Sequence, residues 1–160
     1  EKKFRIEDAV NATRAALEGG IVAGGGVALF EASKELTMKA VGVAEVGDEA
    51  KGVMVIKAVL EKPLRAIAEN SGKDPNEVIS KVFSMEPGMG FNAMTGEYVN
   101  MFEKGIIDPL KVVKATLTNA VSVASLVLTT EAVITDIPEP KSPPSGGMPE
   151  GMGGMGGMGY

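Results

Sequence analysis

Residues 105–139 read GIIDPLKVVKATLTNAVSVASLVLTTEAVITDIPE, and the fold class turns on this stretch. Asp108-Pro109 is a helix-start signal: a short acidic side chain that can cap, then a proline where its missing N–H costs nothing. It predicts a helix over 109–129, about 30 Å long at a rise of about 1.5 Å per residue. The second half of that helix, AVSVASLVL, is apolar nearly all round, which predicts burial on every side. A membrane span is the rival reading. Lys114, Asn119 and several hydroxyl residues interrupt a run that would need about 20 apolar residues, so no membrane partner is expected. After the helix, TEAVITDI (130–137) reads as one short strand. No second strong strand lies near it in sequence, and a lone strand leaves backbone groups unpaired, so its partner is expected outside this chain.

Working back from that helix, the chain reads as helices separated by glycine and proline. FRIEDAVNATRAALE (4–18) is an amphipathic helix with Ile6, Ala9, Val10, Thr13 and Leu17 on one face and Asp8 on the opposite side. Gly19-Gly20 stops it. Ile21–Ala23 is a short apolar step into Gly24-Gly25-Gly26, and a second helix, VALFEASKELTMKAV, follows. Gly47-Asp48 is a turn with Asp48 as N-cap. Residues 49–70 keep a helical period through Val53, Ile56, Leu60, Leu64 and Ile67, with Pro63 dividing the run. Asp74-Pro75 opens a helix over 75–84. EPGMGFNAMTG (86–96) is a glycine-rich loop with a small hairpin around Phe91 to Tyr98, and Glu97–Lys104 reads as one or two helical turns. From Pro138 the composition turns to Pro, Ser and Gly, ending in a Gly-Gly-Met repeat; 138–160 is expected to be a flexible tail.

Composition narrows the chemistry. The chain has 160 residues, 44% of them hydrophobic, enough for a core; only 4% are aromatic and none is Trp. The core must then be built from Ala, Val, Leu, Ile and Met. A net charge of −5 disfavours a nucleic-acid partner, which would call for a basic stripe. With no Cys and no His, disulfides, thiol catalysis, zinc sites and imidazole acid–base chemistry are excluded. The charged, helical opening EKKFRIEDAV is no signal peptide and reads as the middle of a longer chain.

Four features could carry chemistry, and each has a plainer reading. Gly24-Gly25-Gly26 at a helix start would let a ligand approach backbone N–H groups at the positive end of the helix dipole. It lacks the Lys-Ser/Thr of a P-loop, and on spacing alone it is a tight turn between packed helices. Asp108 is an N-cap, or a carboxylate that accepts hydrogen bonds from a ribose. Asn92, in Phe91-Asn92-Ala93-Met94, can both donate to and accept from an adenine edge, or belongs to an ordinary polar loop. Asp8 is a carboxylate on a polar helix face, where most such groups are only solvated.

Taken together and in order, these features resemble one family. RIEDAVNATRAALEGGIVAGGGVAL (5–29), GFNAMTGEYVNM (90–101), residues 105–139 and the terminal GGM repeat resemble the C-terminal part of the group I chaperonins, the Hsp60 family, over essentially the whole chain. The resemblance implies an all-α fold: half of a helical equatorial domain with a short intermediate-domain helix, one small β-hairpin, one unpaired C-terminal strand and a disordered Gly-Met tail. Residues 1–20 would belong to the intermediate domain, 21–137 to the C-terminal half of the ATP-binding equatorial domain, and 138–160 to the tail. By the same resemblance Asp8 is the catalytic aspartate that positions the attacking water. Gly25 contacts the nucleotide through its backbone, and Asn92, Ala93 and Met94 touch the adenine, Met94 departing from the more usual Ala. Ile106 packs against the base and Asp108 contacts the ribose.

The implied function is that of a ring-forming, ATP-dependent, cytoplasmic chaperonin subunit, with ATP, Mg²⁺ and K⁺ as cofactors. Its partners would be identical subunits, a co-chaperonin and unfolded polypeptides. The phosphate-binding Gly-Asp-Gly-Thr-Thr loop, the magnesium-ligating carboxylate and the apical domain of that family are absent from this sequence. No metal ligand is therefore assigned here, and the chain alone is expected to show weak or no ATPase. A non-catalytic helical interaction or assembly module derived from a chaperonin is the alternative.

Overall fold

The computed structural model describes residues 1–42 and 46–137. Its elements are α1 (Lys2–Gly19), β1 (Ile21–Ala23), α2 (Val27–Glu35), α3 (Met38–Val41), α4 (Asp48–Leu60), α5 (Lys62–Asn70), α6 (Pro75–Phe83), β2 (Met89–Asn92), β3 (Glu97–Asn100), β4 (Ile107–Pro109) and α7 (Leu110–Thr129). Helices dominate, as the sequence predicts, joined by two antiparallel strand pairs.

The main core forms where helical period and proline placement agree. Leu64 and Ala68 of α5 are one turn apart, as are Val78 and Val82 of α6, and all four are buried against Phe30 of α2 and Phe91 of β2. Fully burying a side chain such as Leu64 or Phe30 contributes about 1.5–3 kcal/mol. Asp74 caps α6 by accepting from Asn76 N at 2.8 Å, with Pro75 at the first helical position. Pro63 divides the long helical run as expected, giving α4 and α5 on either side of Glu61.

A second, smaller cluster of Ala23, Val27 and Met101 lies beneath the strand pair β1–β4. This pair aligns Ile21 with Pro109, Val22 with Asp108 and Ala23 with Ile107. It is prolonged by Gly24 N to Ile106 O (2.9 Å) and Leu110 N to Gly20 O (3.0 Å). The pairing was not visible in sequence, because each strand has only three residues.

Several expectations need correction. The helix over 27–41 is two helices: Leu36 turns extended (ψ 99), and α3 restarts with Val41 N donating to Thr37 O. Gly47, not Asp48, is the N-cap of α4; Asp48 is its first residue and pairs with Lys51 at 2.8 Å. Glu97–Asn100 is strand rather than helix, because it pairs with β2, and Asn100 Oδ1 then accepts from Phe102 N and Glu103 N to end it. Asp108 does not cap α7. It is in the middle of β4, and the helix starts two residues later behind Pro109.

Burial also differs from expectation. α7 contains no buried residue. It is long and apolar enough to cross a membrane by length and composition, and here it lies against α1 and β4. In α1 the stripe of Ile6, Val10 and Leu17 is exposed. Its C-terminal end meets the start of α7, where a Cβ on Gly19 would stand 3.1 Å from Lys111 Cβ and Glu18 pairs with Lys111. Residues 131–137 join no strand pair among the described residues. The Gly-Met tail, 138–160, lies outside the described residues.

Candidate functional site

The glycine run is a turn whose three members each face a different close neighbour. A Cβ on Gly24 would lie 3.0 Å from the Ile106 carbonyl. On Gly25 it would lie 2.9 Å from Met101 Cε and 4.0 Å from Phe91 O; on Gly26, 2.7 Å from Leu64 N. Gly25 and Gly26 are also left-handed, at φ 63 and 78, a conformation that favours glycine. The turn therefore packs at once onto β4, the hairpin and α5, and it delivers its backbone to the start of α2.

Beside it opens a cavity of about 420 Å³ lined by Gly25, Gly26, Ile67, Asp108, Val112 and Thr116, among others. Its wall is mostly apolar. Asp108 supplies the one carboxylate among its lining residues, and no lysine or arginine lines it. The ladder pairing of Asp108 with Val22 holds this carboxylate beside the glycine turn. Asp108 is half-buried, and no hydrogen bond to its side chain is made among the described residues. It also borders a smaller cavity of about 170 Å³ on the α1 side of β4, together with Ala12, Thr13 and Ala16.

The residues singled out in the sequence are distributed as follows. Gly25 and Asp108 line one cavity. Ile106 packs onto the Ala23–Val27–Met101 cluster, and its backbone is tied to Gly24 on one side and to Met101 O on the other. Asn92 ends β2, next to the Phe91 carbonyl that faces Gly25. Its side-chain Oδ1 accepts from Met94 N at 3.0 Å, and its backbone O accepts from Gly96 N at 2.8 Å, so Asn92 closes the hairpin turn. Ala93 and Met94 project from that turn, Met94 being 94% exposed. Asp8 is exposed, lines neither cavity, and sits on α1 one turn before Ala12.

Two structural contributors carried no sequence signal. Met101 is wholly buried and wedges between Gly25 and Gly90. Glu18 and Lys111 form an ion pair joining the end of α1 to the start of α7; the hydrogen bond and charge of Lys111 lower the Glu18 carboxyl pKa.

A sequence profile of the TCP-1/cpn60 chaperonin family matches residues 1–138. The chain belongs to this chaperonin family. Among solved structures it is similar to the open-state monomer of a group II chaperonin from Methanococcoides burtonii, at 29% identity and a TM-score of 0.62. That likeness covers 69% of this chaperonin chain and 28% of the other. The chain therefore spans well under a third of that subunit. The family-level expectation holds, whereas the solved relative is a group II chaperonin rather than one of group I.

Proposed function

We propose that this chain supplies the nucleoside-holding half of an ATP site in a ring-forming group I chaperonin subunit that folds non-native proteins. The observation that carries the reading is the meeting of Gly25 and Asp108 at one cavity, with Ile106 and the Asn92 peptide packed against the same turn. Those groups suit a nucleoside. Bare glycine backbone allows close approach, apolar walls accept a base, and a carboxylate free of protein partners can accept from ribose hydroxyls. In this reading Asn92, Ala93 and Met94 meet the adenine from the hairpin tip, and Ile106 packs on the base. The group I assignment rests on the AGGG step and the GGM repeat.

The same residues do not suit a triphosphate with its metal. The cavity offers no cationic side chain, and among the described residues no cluster of three or more acidic groups could hold an ion. ATP would bring its own phosphoryl-transfer chemistry, while the contacts for phosphate, Mg²⁺ and K⁺ would come from segments other than this one. Asp8 would orient the attacking water only after α1 carries it to the site. Identical subunits, a co-chaperonin and unfolded polypeptides are the proposed partners, and the cytoplasm the proposed compartment. A second reading, a non-catalytic interaction module, is favoured by α7, which presents a long apolar surface with no buried residue.

An NMR titration of the ¹⁵N-labelled full chain with adenosine separates the two. The ATP-site reading expects perturbations at Gly25, Asn92 and Asp108, and no measurable ATP turnover by the chain alone. Removing the acceptor by Asp108→Ala should cost about 1.5–3 kcal/mol of binding, roughly ten- to hundredfold in affinity. Saturating adenosine without any shift at these residues leaves the interaction-module reading.

A further inference from the structure

The glycine turn and the Asn92–Met94 turn sit on separate elements, and something must set their spacing. The hairpin β2–β3 is gripped on both faces, by Phe91 buried among Phe30, Leu64 and Val82 on one and by Gly90 against Val27 and Met101 on the other. These contacts are apolar and without direction, so they resist separation better than tilt. One directional bond crosses from α2 to the base of the hairpin: Gly88 N donates to Glu31 Oε1 at 2.6 Å, between residues 57 positions apart. Gly88 is buried and left-handed (φ 83), and its own carbonyl accepts from Met101 N at 2.9 Å. Glu31, Gly88 and Met101 thus form a relay from α2 into both strands. α2 begins directly after the glycine turn, with Gly26 as its N-cap, so one rigid helix joins that turn to Glu31, the anchor of the hairpin, six residues beyond Gly25.

We propose that Glu31 is a positioning residue: its carboxylate fixes the base of the hairpin on α2 and thereby sets the Asn92–Met94 turn at a constant distance from Gly25. The proposal rests on the nucleoside-site reading for its consequence, though not for its geometry. Asn92 stands four residues beyond Gly88, about 14 Å at about 3.4 Å per residue, so a tilt of about 10° at the base displaces the tip by about 2 Å. A displacement of that size separates a hydrogen bond to a base edge from none. The bond is charge-assisted, which makes it stronger than the neutral backbone bonds around it.

The test compares the full chain with Glu31→Gln, which keeps an acceptor oxygen, and Glu31→Ala, which leaves Gly88 N without one. Hydrogen exchange is read at Gly88 and along 89–101, with α5 and α6 as internal reference, and adenosine is titrated by ¹⁵N NMR. E31A should speed exchange at Gly88 and the hairpin at least tenfold while α5 and α6 stay within twofold. Adenosine shifts at Asn92–Met94 should vanish while those at Gly25 persist, and E31Q should restore both readouts. Unchanged exchange at Gly88 in E31A, equal acceleration throughout α5 and α6, or failure of E31Q to rescue overturns the proposal. If the unmodified chain shows no adenosine shifts at all, the nucleoside reading falls, and the exchange data still decide the role of Glu31.

Discussion

Gly25 and Gly26 are neighbours in the same left-handed turn, yet what stands opposite them differs in kind. At Gly25 an added Cβ meets the terminal methyl of Met101, which can swing aside; at Gly26 it meets the backbone of Leu64, which cannot. Gly25→Ala should therefore cost about 1–2 kcal/mol, the left-handed penalty alone. Gly26→Ala should add about 1–3 kcal/mol of overpacking to that. Urea unfolding of both variants checks the order, and equal losses would contradict it. Tyr98 gives a second test at this scale. Burial raises its phenol pKa, and the charge of Glu77 adds to the rise. Between the ordinary value of 10.0 and the raised one, the folded chain keeps a proton that the unfolded chain has released. Stability from this group is whole below that ordinary value and falls as pH climbs through the folded pKa. Tyr98→Phe should flatten that alkaline decline, seen as thermal midpoints compared across the range. The glycine run was legible as a candidate site because glycine itself records close approach. Met101 and Glu31 were not legible, since a methionine or a glutamate means something different with each neighbour.

Two Asp-Pro pairs, identical in sequence, behave differently as parts of elements. Asp74-Pro75 does what the signal says: the carboxylate caps α6. Asp108-Pro109 does not, because Val22 claims Asp108 as a ladder partner and α7 starts beyond the proline. Local chemistry thus specified the position of α7 to one residue but not the role of its first carboxylate, which depends on a strand 86 positions earlier (108 − 22). The same contrast runs through the molecule. α5 and α6 were legible because spacing and proline agree in both, with the Asp74 cap added at α6; β1 and β4 were not, because three residues carry no period; β3 was misread because pairing with β2 outweighed local preference. The two aspartates make the distinction measurable. Asp74→Ala should cost about 1 kcal/mol of stability, the usual loss for a cap. Asp108→Ala, which breaks no cap and no side-chain hydrogen bond, should stay within about 0.5 kcal/mol of the unmodified chain while weakening adenosine binding. A large stability loss in the second variant would mean that the carboxylate serves the fold rather than a ligand.

For the molecule as a whole, apolar pattern and burial part company along α7, the front of α1 and residues 131–137. Leu126, Leu128 and Ile134 are 66%, 84% and 98% exposed, and Ile6 and Leu17 on α1 are exposed as well. Hydrophobic pattern reports what a side chain meets when all its partners are present, so the sequence reading of α7 as buried on every side overreached for this chain taken by itself. Exposed apolar side chains repeated along a 20-residue helix favour association, since monomeric soluble proteins rarely leave large apolar patches open to water. The isolated chain should accordingly brighten anilinonaphthalene sulfonate and sediment as a concentration-dependent mixture. Replacing Leu126 and Leu128 together by Ser removes two exposed side chains that touch no buried core, so folding should survive. Circular dichroism at 222 nm is expected to stay unchanged, while dye emission and the weight-average sedimentation coefficient both drop. A chain that remains monomeric and dye-silent at high concentration would show that α7 tolerates water, and the double variant would then change nothing. Liposome flotation of the same samples sets protein association apart from lipid binding: association leaves the chain in the bottom fraction with or without vesicles, whereas α7 acting as a membrane segment would carry it to the top.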